Sequence, residues 1–227
     1  MPRIAKAVFL TLVLSVPFVP SLTRAQRTGE MTFGVMAGVQ FSTLSQDPEA
    51  TEVEYYHKTG LLAGAFLGFP LTDVVSIEPQ ALFSQKGADV EGTGANSTKE
   101  GSIRINYIEV PVLLKLSFPG SMSRVTPFVF AGPAVGFKVS CKAEGVILAI
   151  TGDRDCEETE LFADVKSTDF SGAVGAGIKF RAADQLWILD ARYTHGFTNI
   201  IDDSSGNRDI KNRAFAVTLG LGFPFVR

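Results

Sequence analysis

Between Phe215 and Phe225 the chain alternates with a strict period of two. Phe215, Val217, Leu219, Leu221, Phe223 and Phe225 are large and apolar. Ala216, Thr218, Gly220, Gly222 and Pro224 between them are small, weakly polar or proline. Such a pattern requires an extended strand with one greasy face. The run outlasts the roughly 5–6 residues usual for a strand in a soluble protein. It matches the roughly 9–11 residues that a tilted strand needs to cross a bilayer.

Seven more segments read as strands: 32–42, 59–69, 73–86, 102–118, 125–140, 167–180 and 185–197, with the last at 213–225. No helical periodicity of useful length separates them. The connections alternate in length. Long polar stretches are expected at 43–58, 87–101, 141–166 and 198–212, and short links at 70–72, 119–124 and 181–184. An even number of antiparallel strands with long and short connections in alternation has one long-looped end and one tight-turned end. Lipid offers the backbone no hydrogen-bond partners, so a sheet in a membrane must close on itself. The expected fold is therefore all-β, an eight-stranded antiparallel up-and-down transmembrane β-barrel, whose narrow interior is filled by side chains.

The faces separate in most strands. Phe33, Val35, Ala37, Val39 and Phe41 oppose Gly34, Met36, Gly38, Gln40 and Ser42. The same separation holds for the third, fourth, sixth and seventh strands. The second and fifth are apolar or small on both faces and stay ambiguous. A soluble barrel would put the polar face in water, rich in Lys, Glu and Thr. Here that face is Gly, Ser and Ala with single charges of both signs, which suits a packed lumen. Aromatics also gather at strand ends, as at membrane interfaces. The expected luminal charges are Glu78, Lys86, Glu109, Lys115, Asp169, Lys179, Asp190 and Arg192, acids balancing bases. Buried charges persist when paired and hydrogen-bonded, so an ion-pair network plugging the lumen is expected. Pro79, Pro111 and Pro133 fall inside strands, where bulges or kinks are expected.

The first stretch agrees with export. Arg3 and Lys6 precede an apolar run over 7–20, and Thr23-Arg24-Ala25 offers a cleavage site. Residues 1–25 are expected to be a cleaved signal peptide and 26–227 a single barrel domain. The formal net charge of −3 becomes −6 without Arg3, Lys6 and Arg24, which disfavours nucleic acid as a partner. Cys141 and Cys156 lie in the longest expected loop, and an even cysteine count in an exported chain favours a disulfide. No metal or cofactor spacing is evident. The acidic residues around the cysteines read as a solvated face. Of the two histidines, His57 lies in a loop and His195 shares the lipid-facing register of Trp187 and Tyr193 near the outer rim, so catalysis has little support.

Several motifs carry a resemblance. Thr218-x-Gly220-x-x-Phe223-x-Phe225 resembles the signal read by the outer-membrane insertion machinery, although Val226 and Arg227 follow it. Tyr107-x-Glu109-x-Pro111-x-x-x-Lys115, followed by Pro127-Phe128-Val129-Phe130-Ala131-Gly132-Pro133, resembles the PorT-like outer-membrane β-barrel family. Ser84-Gln85-Lys86-Gly87 and Arg192-Tyr193-x-x-Gly196-Phe197-Thr198-Asn199-Ile200 fit the same family. The resemblance implies an outer-membrane barrel, handled by periplasmic chaperones and the insertion machinery and surrounded by outer-membrane lipid. It implies little about activity, apart from a family member serving secretion. The expected protein is monomeric and non-enzymatic, with a structural or interaction role through its extracellular loops and an envelope partner of unknown identity. The alternatives are a narrow channel for small solutes and a secretion-accessory barrel.

Overall fold

The computed structural model describes residues 30–47, 53–94, 97–119, 125–145, 150–156, 166–182, 185–200 and 209–224. The proposed leader, Phe225 and most of the expected 198–212 connection lie outside these residues. Among the described residues nine strands are formed: β1 (Thr32–Asp47), β2 (Val53–Pro70), β3 (Val75–Gly94), β4 (Ser97–Ser117), β5 (Val125–Gly145), β6 (Ile150–Asp155), β7 (Thr168–Ala182), β8 (Gln185–Gly196) and β9 (Asp209–Pro224). Eight of them make a closed antiparallel ring in the order β4-β3-β2-β1-β9-β8-β7-β5, sealed by pairing of β4 with β5. The ninth, β6, folds back on the outer end of β5 and takes no place in the ring. Closure leaves the eight-stranded sheet without a free edge, as a barrel in lipid must be.

The strands run further than the alternation in sequence reaches. The 87–101 segment, expected as a long loop, is mostly paired, with β3 and β4 in register from Gly87↔Arg104 to Gly94↔Ser97. Likewise β1 and β9 pair out to Asp47↔Asp209, and β5 continues to Gly145 within the segment expected as the longest loop. Outside the lipid a strand needs no greasy face, so Gly, Ser, Thr and Asn continue the ladder without showing alternation. The long-connection end therefore projects as paired ribbon.

Prolines and bulges do not coincide. Pairing lapses between Pro79↔Val112 and Leu82↔Glu109, then resumes in the same register. It lapses similarly between Pro111↔Ala134 and Leu114↔Ala131, while Pro133 pairs with Gly172. At Pro79 and Pro111 the ladder thus lapses without an added residue, and Pro133 keeps its rung with β7, so of the bulges or kinks expected no bulge falls at these prolines. The register shifts instead between His57 and Leu62 in the β2–β3 pair and between Asn106 and Tyr107 in the β4–β5 pair.

The outer surface is apolar along every strand of the ring. Val35, Leu61, Leu114, Val129, Val174, Leu189 and Leu219 are all at least 40% exposed, a surface that water would penalise and hydrocarbon accepts. Aromatics pair at its margins. Phe33 stacks with Phe223 and Phe180 with Trp187 toward the tight-turned end. Tyr193, His195 and Phe197 form a ladder toward the other end, with the Tyr193 hydroxyl 3.4 Å from His195 Nδ1.

Candidate functional site: the barrel lumen

The inward residues stack in layers. At the outer end Leu44, Ala88, Ile103, Ile105, Cys141, Ala143, Cys156, Ile200 and Ile210 form a buried apolar cap. The Cys141–Cys156 disulfide sits in this cap, with a Cα separation of 5.3 Å. It occupies the rung beside Lys142↔Asp155 and clamps β6 to β5. Cys141 is thus a strand residue facing the lumen, where a loop had been expected.

Below the cap lies a charged layer. Lys86 Nζ is 2.5 Å from a Glu109 carboxylate oxygen and 3.8 Å from Asp169. Asn212 donates to Asp169 Oδ2 at 2.8 Å and to the Tyr107 hydroxyl at 3.4 Å, and Thr198 donates to Asp169 Oδ1 at 2.9 Å. The Tyr107 ring lies under the Lys86 ammonium at 5.5 Å. Every member from Lys86 to Asn212 named here, except Thr198, is nearly fully buried.

A second network crosses the middle of the lumen. Arg192 bonds both oxygens of Asp190 at 3.2 Å and donates to Gln80 Oε1 at 2.9 Å. Gln80 in turn donates to Glu78 at 2.7 Å, and Lys115 holds both Glu78 oxygens at 2.7 Å. The network therefore runs from β8 across the lumen to β3 and back to β4. Low polarity around it makes each pairing strong and each loss costly.

Aromatic rings surround this second network. Lys115 Nζ lies 4.7 Å from the Phe128 centroid, 5.8 Å from Phe130 and 5.9 Å from Phe66. Arg192 lies 5.5 Å from Phe130. Cations over ring faces gain electrostatic attraction, more so when desolvated. These three phenylalanines lie in the two strands whose faces the sequence left ambiguous. They point inward and are buried. Each ring occupies space that a neighbouring glycine leaves open: Phe66 over Gly34, Phe130 over Gly175 and Phe128 over Gly177. Inward glycines on the neighbouring strand, Gly34 on β1 for Phe66 and Gly175 and Gly177 on β7 for Phe130 and Phe128, are the sequence counterpart of these rings.

Seven of the eight charged residues expected in the lumen meet in these two networks. Lys179 does not. Its ammonium donates to Ser117 Oγ at 2.9 Å at the tight-turned end. Thr218 and Gly220 face inward and are buried, and Phe223 faces out.

The sequence from residue 24 to 202 matches the family model of the outer membrane protein beta-barrel domain. The chain belongs to this family. In an outer-membrane barrel the tight turns face the periplasm and the long connections face outward. The apolar cap and disulfide are then on the extracellular side, and Lys179 is on the periplasmic side. No curated protein matches the chain in sequence. Among solved structures the chain is similar to Neisserial surface protein A, at 12% identity and a TM-score of 0.48, covering 85% of this chain and 97% of that one. It is similar to OprG of Pseudomonas aeruginosa at 12% identity and a TM-score of 0.49, covering 88% and 98%. It is also similar to Ail, the attachment invasion locus protein of Yersinia pestis, at 14% identity and a TM-score of 0.41, covering 86% and 99%.

Proposed function

We propose that this outer-membrane barrel is sealed, and that it acts by structure and contact through its projecting extracellular end, without catalysis. The filled lumen is the observation that supports this reading. The apolar cap, the charged layer beneath it and the second network packed among Phe66, Phe128 and Phe130 fill the outer end and the middle of the lumen, and their largest side chains are almost wholly inaccessible. A solute path would require the Lys86–Glu109–Asp169 layer to part, leaving buried charges without partners. Such a separation costs several kcal/mol, about 3–5 for a broken buried pair.

The test is conductance. The purified chain in planar bilayers is expected to stay silent across a range of salt concentrations and voltages. Discrete, reproducible steps would replace this reading with the narrow-channel alternative.

Three further parts of the reading rest on sequence. Export with cleavage after Ala25 predicts a mature N-terminus at Gln26, which Edman or mass-spectrometric sequencing of the membrane-inserted protein reads directly. Insertion as a monomer predicts a fast-migrating band in unboiled detergent gels of the outer-membrane fraction. A secretion-accessory role of the PorT-like kind predicts co-purification with secretion components from native membranes.

A further inference from the structure

The periplasmic end of the lumen is hollow. A cavity of about 380 Å³ opens there, above a floor made by the Glu78–Lys115 pair and the Phe66 and Phe128 rings. Its volume lies at the lower end of the roughly 300–1,000 Å³ common for small-molecule sites. The wall is divided by chemistry. Ser117, Thr126 and Lys179 form one side, and Leu186 and Ile188 continue the apolar floor on another.

Charge in this space is uneven. Lys86 faces two carboxylates, Lys115 is charge-paired with both oxygens of Glu78, and Arg192 is charge-paired with Asp190. Lys179 is the remaining cation. Among the described residues its ammonium has one partner, the neutral Ser117 hydroxyl, although an ammonium carries three donors. The Arg181–Glu30 pair at the mouth is 3.8 Å apart and more than half exposed on the Arg side, so it does not neutralise Lys179.

We propose that this cavity binds a small organic monoanion, its charged head on Lys179 and Ser117 and its apolar body against Phe128, Phe66 and Ile188. The Lys179 ammonium, held by one neutral hydroxyl, is the group left to receive a charged head, and Glu78 on the floor and Asp73 in the lining repel a second negative charge on the ligand. The apolar floor rewards a ligand with a hydrophobic body over a simple ion, because taking apolar surface out of water is favourable. The site is independent of the sealed-lumen reading, since it opens to one side only.

The test uses the whole refolded barrel in detergent micelles, with benzoate, benzyl alcohol and inorganic phosphate as probes and backbone amide NMR shifts as readout. Benzoate is expected to saturate shifts at Ser117, Thr126 and Lys179, and Lys179→Gln is expected to weaken it at least tenfold. Lys58→Gln, near the opposite end, is expected to leave it unchanged. Lys179→Arg keeps the charge and is expected to retain binding, which covers the case in which the glutamine variant loses its heat-modifiable fold. Benzyl alcohol equal to benzoate would overturn the role of Lys179, and phosphate equal to benzoate would overturn the apolar half of the site. Shifts that never saturate, or that persist unchanged in Lys179→Gln, would reduce the cavity to a hydrated vestibule.

Discussion

Ser42 on β1 bridges β2 to bond Gly87 on β3. Its hydroxyl accepts from the Gly87 amide at 2.9 Å and faces the Gly87 carbonyl at the same distance. The intervening β2 slips register between His57 and Leu62, which leaves the backbone of β3 without its ladder partners there. Gln40 repairs the next position in the same way, donating to the Gln85 carbonyl at 3.1 Å. Gly87 itself has φ of 152°, and a side chain on it would run into the Ile103 carbonyl. Ser42→Ala is therefore expected to lower stability by about 1–3 kcal/mol, through two buried backbone groups losing their partner. Gly87→Ala is expected to cost about 1–3 kcal/mol from backbone strain and crowding. Urea titration of the refolded barrel, read by the heat-modifiable gel shift, measures both. An unchanged midpoint for Ser42→Ala would mean that water replaces the hydroxyl.

The Glu78–Lys115 pair has both oxygens engaged and three rings around it. Glu78→Gln alone is expected to destabilise the barrel by about 3–5 kcal/mol, because it strands a buried ammonium. The double replacement Glu78→Leu with Lys115→Met is expected to recover most of that loss. A double-mutant cycle in urea decides the point: additive losses would show that the two charges do not depend on each other.

Phe130 and Gly175 form an interlocking pair, the ring filling the space of the absent side chain. Phe130→Ala is expected to cost about 3–5 kcal/mol, as other buried aromatic truncations do. Gly175→Ala is expected to be destabilising alone and largely tolerated beside Phe130→Leu. Thermal midpoints of the three variants test the coupling.

Reducing Cys141–Cys156 is expected to act locally. The bond closes a loop of 15 residues in the extracellular cap, worth roughly 3 kcal/mol of unfolded-state entropy. Hydrogen exchange is expected to quicken in β6 and the outer half of β5, while β1 and β9 near Thr32 and Pro224 stay protected. Uniform acceleration through all strands would show that the bond supports the whole barrel.

The transmembrane portion of this fold was legible because lipid enforces alternation. Phe215 to Phe223, Phe33 to Phe41 and Ile108 to Leu116 each show their outward face in sequence and keep it in the structure. The ring closure and the eight-strand count follow from the same pattern. Three things were hidden. The outer ribbons, such as 87–101, carry no lipid-facing residues to mark them. β2 and β5 put large apolar residues on both faces, so Phe66, Phe128 and Phe130 could not be assigned until Gly34, Gly175 and Gly177 were seen beside them. The register slip in β2 depends on what β3 offers, through Ser42 and Gly87, and no single strand records it.

The seam between β1 and β9 is unbroken from Thr32↔Pro224 to Asp47↔Asp209. It joins the first strand to the last, so most of the chain must be in place before the cylinder exists. Contacts this distant in sequence form slowly, because the loop between them is closed at an entropic cost before any bond is gained. Until that moment Arg192 has no Gln80 and Lys86 has no Asp169 to face. An arc of seven strands would therefore present unpaired charges and open backbone to hydrocarbon at once. Assembly is all-or-none by construction: a chain deprived of its last strand is expected to yield a trapped precursor in place of a smaller barrel.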